Sequence, residues 1–88
     1  MAHLITYDLM TPGKDYSRLY EAIKNLGPWA HCFGSVWFVA NGSPAVEIAK
    51  YLSRFVDKND KIFVVPLTRL WAATNLPKEC EDWLNTYL

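Results

Sequence analysis

An α+β domain is predicted by three observations. An apolar run opens the chain with two alternating residue sets, two later stretches repeat apolar residues at helical spacing, and a second continuous apolar run covers residues 62–67. In the first run, Leu4, Thr6 and Asp8 alternate with Ile5, Tyr7 and Leu9, so the two sets point to opposite faces of a strand. Both sets are mostly apolar, which predicts a central position in a sheet. After the Thr11-Pro12-Gly13 turn, Asp15 stands as N-cap of a helix whose stripe is Tyr16, Leu19, Tyr20, Ile23 and Leu26, and Gly27-Pro28 ends it.

The stretch from Trp29 to Ala40 is rich in aromatic and β-branched residues, and Gly34-Ser35 interrupts it. Two short strands around a tight turn are expected in preference to one bulged strand. Asn41-Gly42 turns the chain again, Ser43 is placed as N-cap, and Pro44 falls at the first helical position, where its missing N–H does no harm. Ala45, Ile48, Ala49 and Leu52 form the buried stripe of this second helix, and the polar loop Asp57 to Asp60 follows it. The strand over Ile62 to Leu67 contains Pro66, which removes a ladder donor and so predicts an edge or a strand end there. A last helix from Pro77 places Cys80, Trp83, Leu84 and Tyr87 on one side, with Glu79, Glu81 and Asp82 near its positive end. The order strand, helix, strand, strand, helix, strand is the split βαβ or ferredoxin-like arrangement, here a βαββαβ sandwich with an additional C-terminal helix. Two helices would cover one sheet face, leaving the other to solvent, a partner or the terminal helix.

Size and composition narrow the function. The 88 residues make one domain, 1–88, and 51% of them are hydrophobic, with four Trp, five Tyr and four Phe. So small a core leaves aromatic surface to be covered, and a homodimer is the default expectation. Nine basic side chains balance nine acidic ones, which counts against a high-affinity duplex binder. Cys32 and Cys80 lie outside any Cys-x-x-Cys pattern, so neither a disulfide framework nor a zinc site is expected, and both read as small buried hydrophobes. No apolar run approaches the roughly 20 residues needed to cross a bilayer. No membrane association and a cytoplasmic location are expected.

The runs Ile5-Thr6-Tyr7-Asp8-Leu9, Leu26-Gly27 and Ser35-Val36-Trp37 resemble the small CRISPR-adaptation subunits and the virulence-associated D-type ribonucleases. Gly13-Lys14-Asp15-Tyr16, Leu26-Gly27-Pro28-Trp29-Ala30-His31 and Trp71-Ala72 are similar to the short bacterial and phage proteins called SinR-type, at the edge of that group. The resemblance implies a ferredoxin-like homodimer in which Asp8 of each subunit approaches the other and the pair holds a divalent metal, Mg²⁺ or Mn²⁺, for cleavage of RNA. It equally admits members that only bind or build. Phe33 stands where the adaptation subunits carry Gln, and their basic positions after the first strand are echoed only by Lys14 and Arg18.

Asp8, a carboxylate at a strand exit, is thus the candidate metal ligand and catalytic residue, with a turn carboxylate as the plain alternative. His31 is the candidate general base, since imidazole is the side-chain type suited to proton transfer near neutral pH. Lys14 and Arg18 could meet phosphate, and Tyr7 and Trp37 offer rings on which a base could stack. Ser35 joins this ligand-binding set, although it lacks a Gly-x-Ser-x-Gly setting and suits the turn. A nucleotide-binding protein, or an interaction module using the sheet edge at Val64 and Val65 and the terminal helix to reach a protein partner, are the alternatives to a nuclease.

Overall fold

A computed structural model describes residues 1–88. Strand β1 (Ala2–Asp8) leads to helix α1 (Ser17–Lys24), the hairpin β2 (Trp29–Phe33) and β3 (Val36–Ala40), helix α2 (Ala45–Leu52), strand β4 (Lys61–Pro66) and helix α3 (Lys78–Tyr87). A 3-10 turn, Ser53–Phe55, extends α2. The sheet runs β2-β3-β1-β4 and is antiparallel throughout, with Ile5 opposite Trp37 on one side of β1 and Tyr7 opposite Ile62 on the other. The doubly apolar β1 is central, as its two residue sets require. β4 is an edge strand, and Pro66 is also its last residue, so the missing donor falls where it costs least.

One face is covered by α1 and α2 over Ile5, Trp37 and Val39, packed against Leu19, Ile23, Ile48 and Leu52. The other carries Ala2, Leu4, Val36 and Phe38, and the terminal helix takes it, with Cys80, Trp83 and Leu84 buried there. The irregular segment 67–77 crosses this second face on its way to α3.

Three sequence expectations change. Asp15 does not cap α1. Tyr16 occupies the cap position because its hydroxyl is anchored on Asp60, and Asp15 accepts the Ser17 N–H from one place further out (2.9 Å). Ser43 does not cap α2 either. Its N–H donates to Asn41 Oδ1 (2.8 Å), so the extended Pro44 holds the cap position and the helix begins at Ala45. The hairpin of two strands closes at Gly34 (φ 45°) and Ser35 as expected, and a bulge in β2 breaks the register between His31 and Phe33. Cys32 and Cys80 are buried but are not separate thiols. They form a disulfide across 48 positions, their Cα atoms 5.8 Å apart, because α3 runs back across β2.

Gly27 has a reason beyond the helix stop. A Cβ there would collide with the Ala40 carbonyl oxygen, where the chain after α1 passes under the end of β3. The same corner is tied by Asn41, whose Nδ2 donates to Leu26 O (2.8 Å).

Candidate functional site

The alternation of β1 sends Tyr7 to the α1/α2 side and Asp8, with Leu4 and Thr6, to the α3 side. His31 sits on β2 two residues after Trp29, so the pair shares one face, and it is the face of Trp37. Asp8 and His31 therefore lie on opposite faces of the sheet. They do not form a joint acid–base site within one chain.

The aromatic residues do converge. The exposed His31 ring lies flat on the Trp37 indole, centroids 4.0 Å apart and planes within 5°. Trp29, 43% exposed, leans on the same indole at 5.5 Å, and the Lys24 ammonium stands 5.0 Å from the Trp29 ring. Behind them Tyr20 stacks on Trp37 (6.2 Å, 18°), and Trp37 Nε1–H donates to the Tyr7 hydroxyl (3.1 Å). Burial raises the Tyr7 phenol above its ordinary range, the Trp37 hydrogen bond opposes this, and the nearby Tyr20 reinforces it, so Tyr7 remains a neutral phenol.

The imidazole is fixed as well as exposed. Its Nε2 lies 2.8 Å from the Gly34 carbonyl, which can only accept, so Nε2 carries the hydrogen. In the neutral ring that leaves Nδ1 with the free lone pair. The β2–β3 turn thus orients a stacked, hydrogen-bonded imidazole with one basic nitrogen unbonded by the protein.

On the other face, Asp8 is exposed and lies opposite Lys61 in the β1–β4 ladder. Its neighbours on that face are Thr6, whose hydroxyl shares a hydrogen bond with Ser35 (2.9 Å), and Phe63, opposite Thr6 on β4. Phe33 and Phe63, 56% and 63% exposed, mark the two sheet edges here. Beyond this strip an apolar groove of about 290 Å³ opens between the sheet and segment 67–77, lined by Leu4, Val36, Phe38, Leu67, Trp71 and Leu84 among others.

Lys14 and Arg18 join neither constellation. Lys14 Nζ is bonded to Asp57 (2.6 Å), which raises the Lys14 pKa, and lies over the Tyr16 ring. Arg18 lies 6.0 Å from the Phe55 ring centroid, in a shallow depression shared with Glu21, Asn25 and Tyr51. The Asp57 to Asp60 loop, read as merely polar, is a structural knot. Asp60 accepts from Met10 N (2.7 Å), Asp57 N (2.7 Å) and the Tyr16 hydroxyl, bonds that outweigh its desolvation and hold its carboxyl below the ordinary range.

No three His, Cys, Asp or Glu side chains gather where they could hold a metal ion. One chain offers Asp8 alone, so the donors of a single copy do not fit a metal centre. Sequence reasoning picked Tyr7, His31 and Trp37 singly and missed Tyr20, Trp29 and Lys24, which complete their surface. The i, i+2 spacing of Trp29 and His31 carried that signal, since a strand puts such a pair on one face. No helix is long and apolar enough to cross a membrane. No protein-family model matches the chain.

Proposed function

We propose that the chain is a homodimeric, ferredoxin-like cytoplasmic protein that binds a nucleotide or single-stranded RNA by stacking bases on the exposed His31 and Trp29 rings, which the buried Trp37 holds in place. The observation that carries this reading is the exposed His31 ring laid parallel on Trp37 beside the half-exposed Trp29, with the Lys24 ammonium, paired to Glu21 at 3.9 Å, next to it. Rings already held in place lose little freedom when a base docks, and base stacking is worth roughly 1–3 kcal/mol per base. The balanced net charge agrees with recognition through rings in preference to a strong cationic field. The strand order β2-β3-β1-β4 supports the ferredoxin-like assignment, and the quoted motifs support kinship with the CRISPR-adaptation and D-type ribonuclease group.

Quenching of tryptophan fluorescence by an RNA, DNA and mononucleotide panel tests the reading. Trp29→Ala and His31→Ala should each weaken binding about fivefold or more while circular dichroism stays unchanged. Equal affinity in the variants, or no quenching by any of the panel, would remove it.

A second reading, metal-dependent cleavage of RNA, is favoured by the unpaired, exposed Asp8, and it requires Asp8 of the partner subunit to complete the donors. Asp8→Asn and chelation of Mg²⁺ or Mn²⁺ should then abolish cleavage while stacking survives. Neither binding nor cleavage would leave a protein-interaction module using the β4 edge and the exposed Phe33 and Phe63.

A further inference from the structure

We propose that the Cys32–Cys80 disulfide is a redox clamp: thiol–disulfide exchange at this bond decides whether α3 stays on the sheet or lifts away and uncovers the apolar face beneath it. The attachment of α3 is unusual in what it lacks. No hydrogen bond and no ion pair joins residues 78–88 to residues 1–66; the polar contacts of α3 are internal, as in Lys78–Asp82, or reach Arg69 in the connecting segment. The helix is held by Cys80, Trp83 and Leu84 packed on Ala2, Cys32 and Phe38, and by the one covalent bond.

Its docking also carries a cost. The Trp83 indole N–H is buried without an acceptor, which subtracts from what burial of the ring contributes. The preceding segment, 67–77, contains no regular structure and turns through Asn75 at positive φ (59°); its ties to the sheet are the Leu67 N–H to Ala2 O bond (2.8 Å) and the packing of Leu67, Trp71 and Leu76, all of them outside α3 itself. By contrast β1, β3, α1 and α2 close their own core, in which Cys32 and Cys80 take no part. The fold is thus a self-contained layer pair with a third layer held by one apolar cluster and one covalent bond, and by no polar tie between α3 and the sheet.

The exchange balances with a dithiol as reductant. Its thiolate attacks the Cys32 sulfur, the more accessible of the pair because β2 is an edge strand (7% against 0% exposed), and Cys80 departs as a thiolate and takes up a proton. The second thiol of the reductant then attacks the mixed disulfide, releasing Cys32 and closing the reductant into a cyclic disulfide. Two electrons and two protons reach the protein, and the reverse exchange with a disulfide oxidant resets the clamp. In a thiol-buffered compartment the clamp stands open, and oxidation closes it.

Hydrogen exchange of the full chain, oxidised and after treatment with dithiothreitol, tests this. Amides of Trp83 to Tyr87 should lose their protection on reduction, an apolar dye should bind to the uncovered Phe38 face, and amides of Ile5 and Val39 should keep theirs. Cys32→Ala/Cys80→Ala should behave as the reduced protein with or without reductant. Retained protection of α3 in the reduced protein would overturn the proposal. So would simultaneous loss of protection in α3 and β1, which would make the bond a staple of the whole fold and not a clamp on one helix.

Discussion

His3 is fully buried on the central strand, with neither ring nitrogen hydrogen-bonded. Burial, reinforced by the positive N-terminus, pushes its pKa below the ordinary 6.5. On acidification the unfolded chain takes up this proton before the folded one does. The His3 contribution to stability is therefore complete above about pH 6.5 and is lost as pH falls from there through the folded-state value. Urea midpoints measured from pH 8 down to about pH 5 should fall, and His3→Leu should flatten that part of the profile. An equally steep profile in the variant would place the acid sensitivity elsewhere. The sequence did not disclose His3, because a histidine next to Leu4-Ile5 is unremarkable until the sheet buries it. Gly27 is a different case: the helix stop was legible, while the collision with Ala40 O depends on a partner 13 positions away. Gly27→Ala should cost about 3 kcal/mol or more in denaturant unfolding, whereas Gly42→Ala, with open space around it, should stay within about 0.5 kcal/mol.

At the scale of the element, periodicity was a good guide wherever the apolar pattern itself builds the structure. The centrality of β1, the edge position of β4 and the buried stripe of α3 all follow from which residues must leave water. Caps were less legible. Tyr16 and Pro44 hold the cap positions because of Asp60 and Asn41, and neither tertiary tie can be read from the local choice of a capping residue. The Cys32–Cys80 bond was illegible for the same reason, since two cysteines 48 positions apart meet only if α3 crosses β2. In the chain-entropy account a crosslink over that separation stabilises by about 4 kcal/mol relative to the reduced chain. Complete unfolding of the oxidised chain in guanidinium chloride should require up to that much more free energy than unfolding of Cys32→Ala/Cys80→Ala, whose β1, β3, α1 and α2 core should still unfold in one cooperative step.

For the whole molecule, the exposed surface of 5700 Å² exceeds the roughly 5300 Å² that size scaling gives for a monomeric chain of 10.1 kDa. The excess of about 400 Å² is half of what one partner brings to a standard interface of about 800 Å² a side. Two exposed phenyl rings, Phe33 and Phe63, flank the Thr6–Ser35 pair on the face that also carries Asp8. In the proposed dimer this strip would meet its two-fold copy, burying four phenyl rings and bringing the Asp8 carboxylates near Lys61 ammoniums across the axis. Lys61 lies beside Asp8 in the ladder, so such a face is complementary to itself in charge as well as apolar at its edges. Phe63→Asp would add one carboxylate per subunit to the two of Asp8, placing four at the interface. Sedimentation of this variant should move to the monomer while far-ultraviolet circular dichroism stays that of the parent, and Asp8→Asn should leave the dimer in place. A parent chain already monomeric at micromolar concentration would detach Asp8 from any shared site, leaving the stacked rings on the opposite face as the chemistry a single copy can perform.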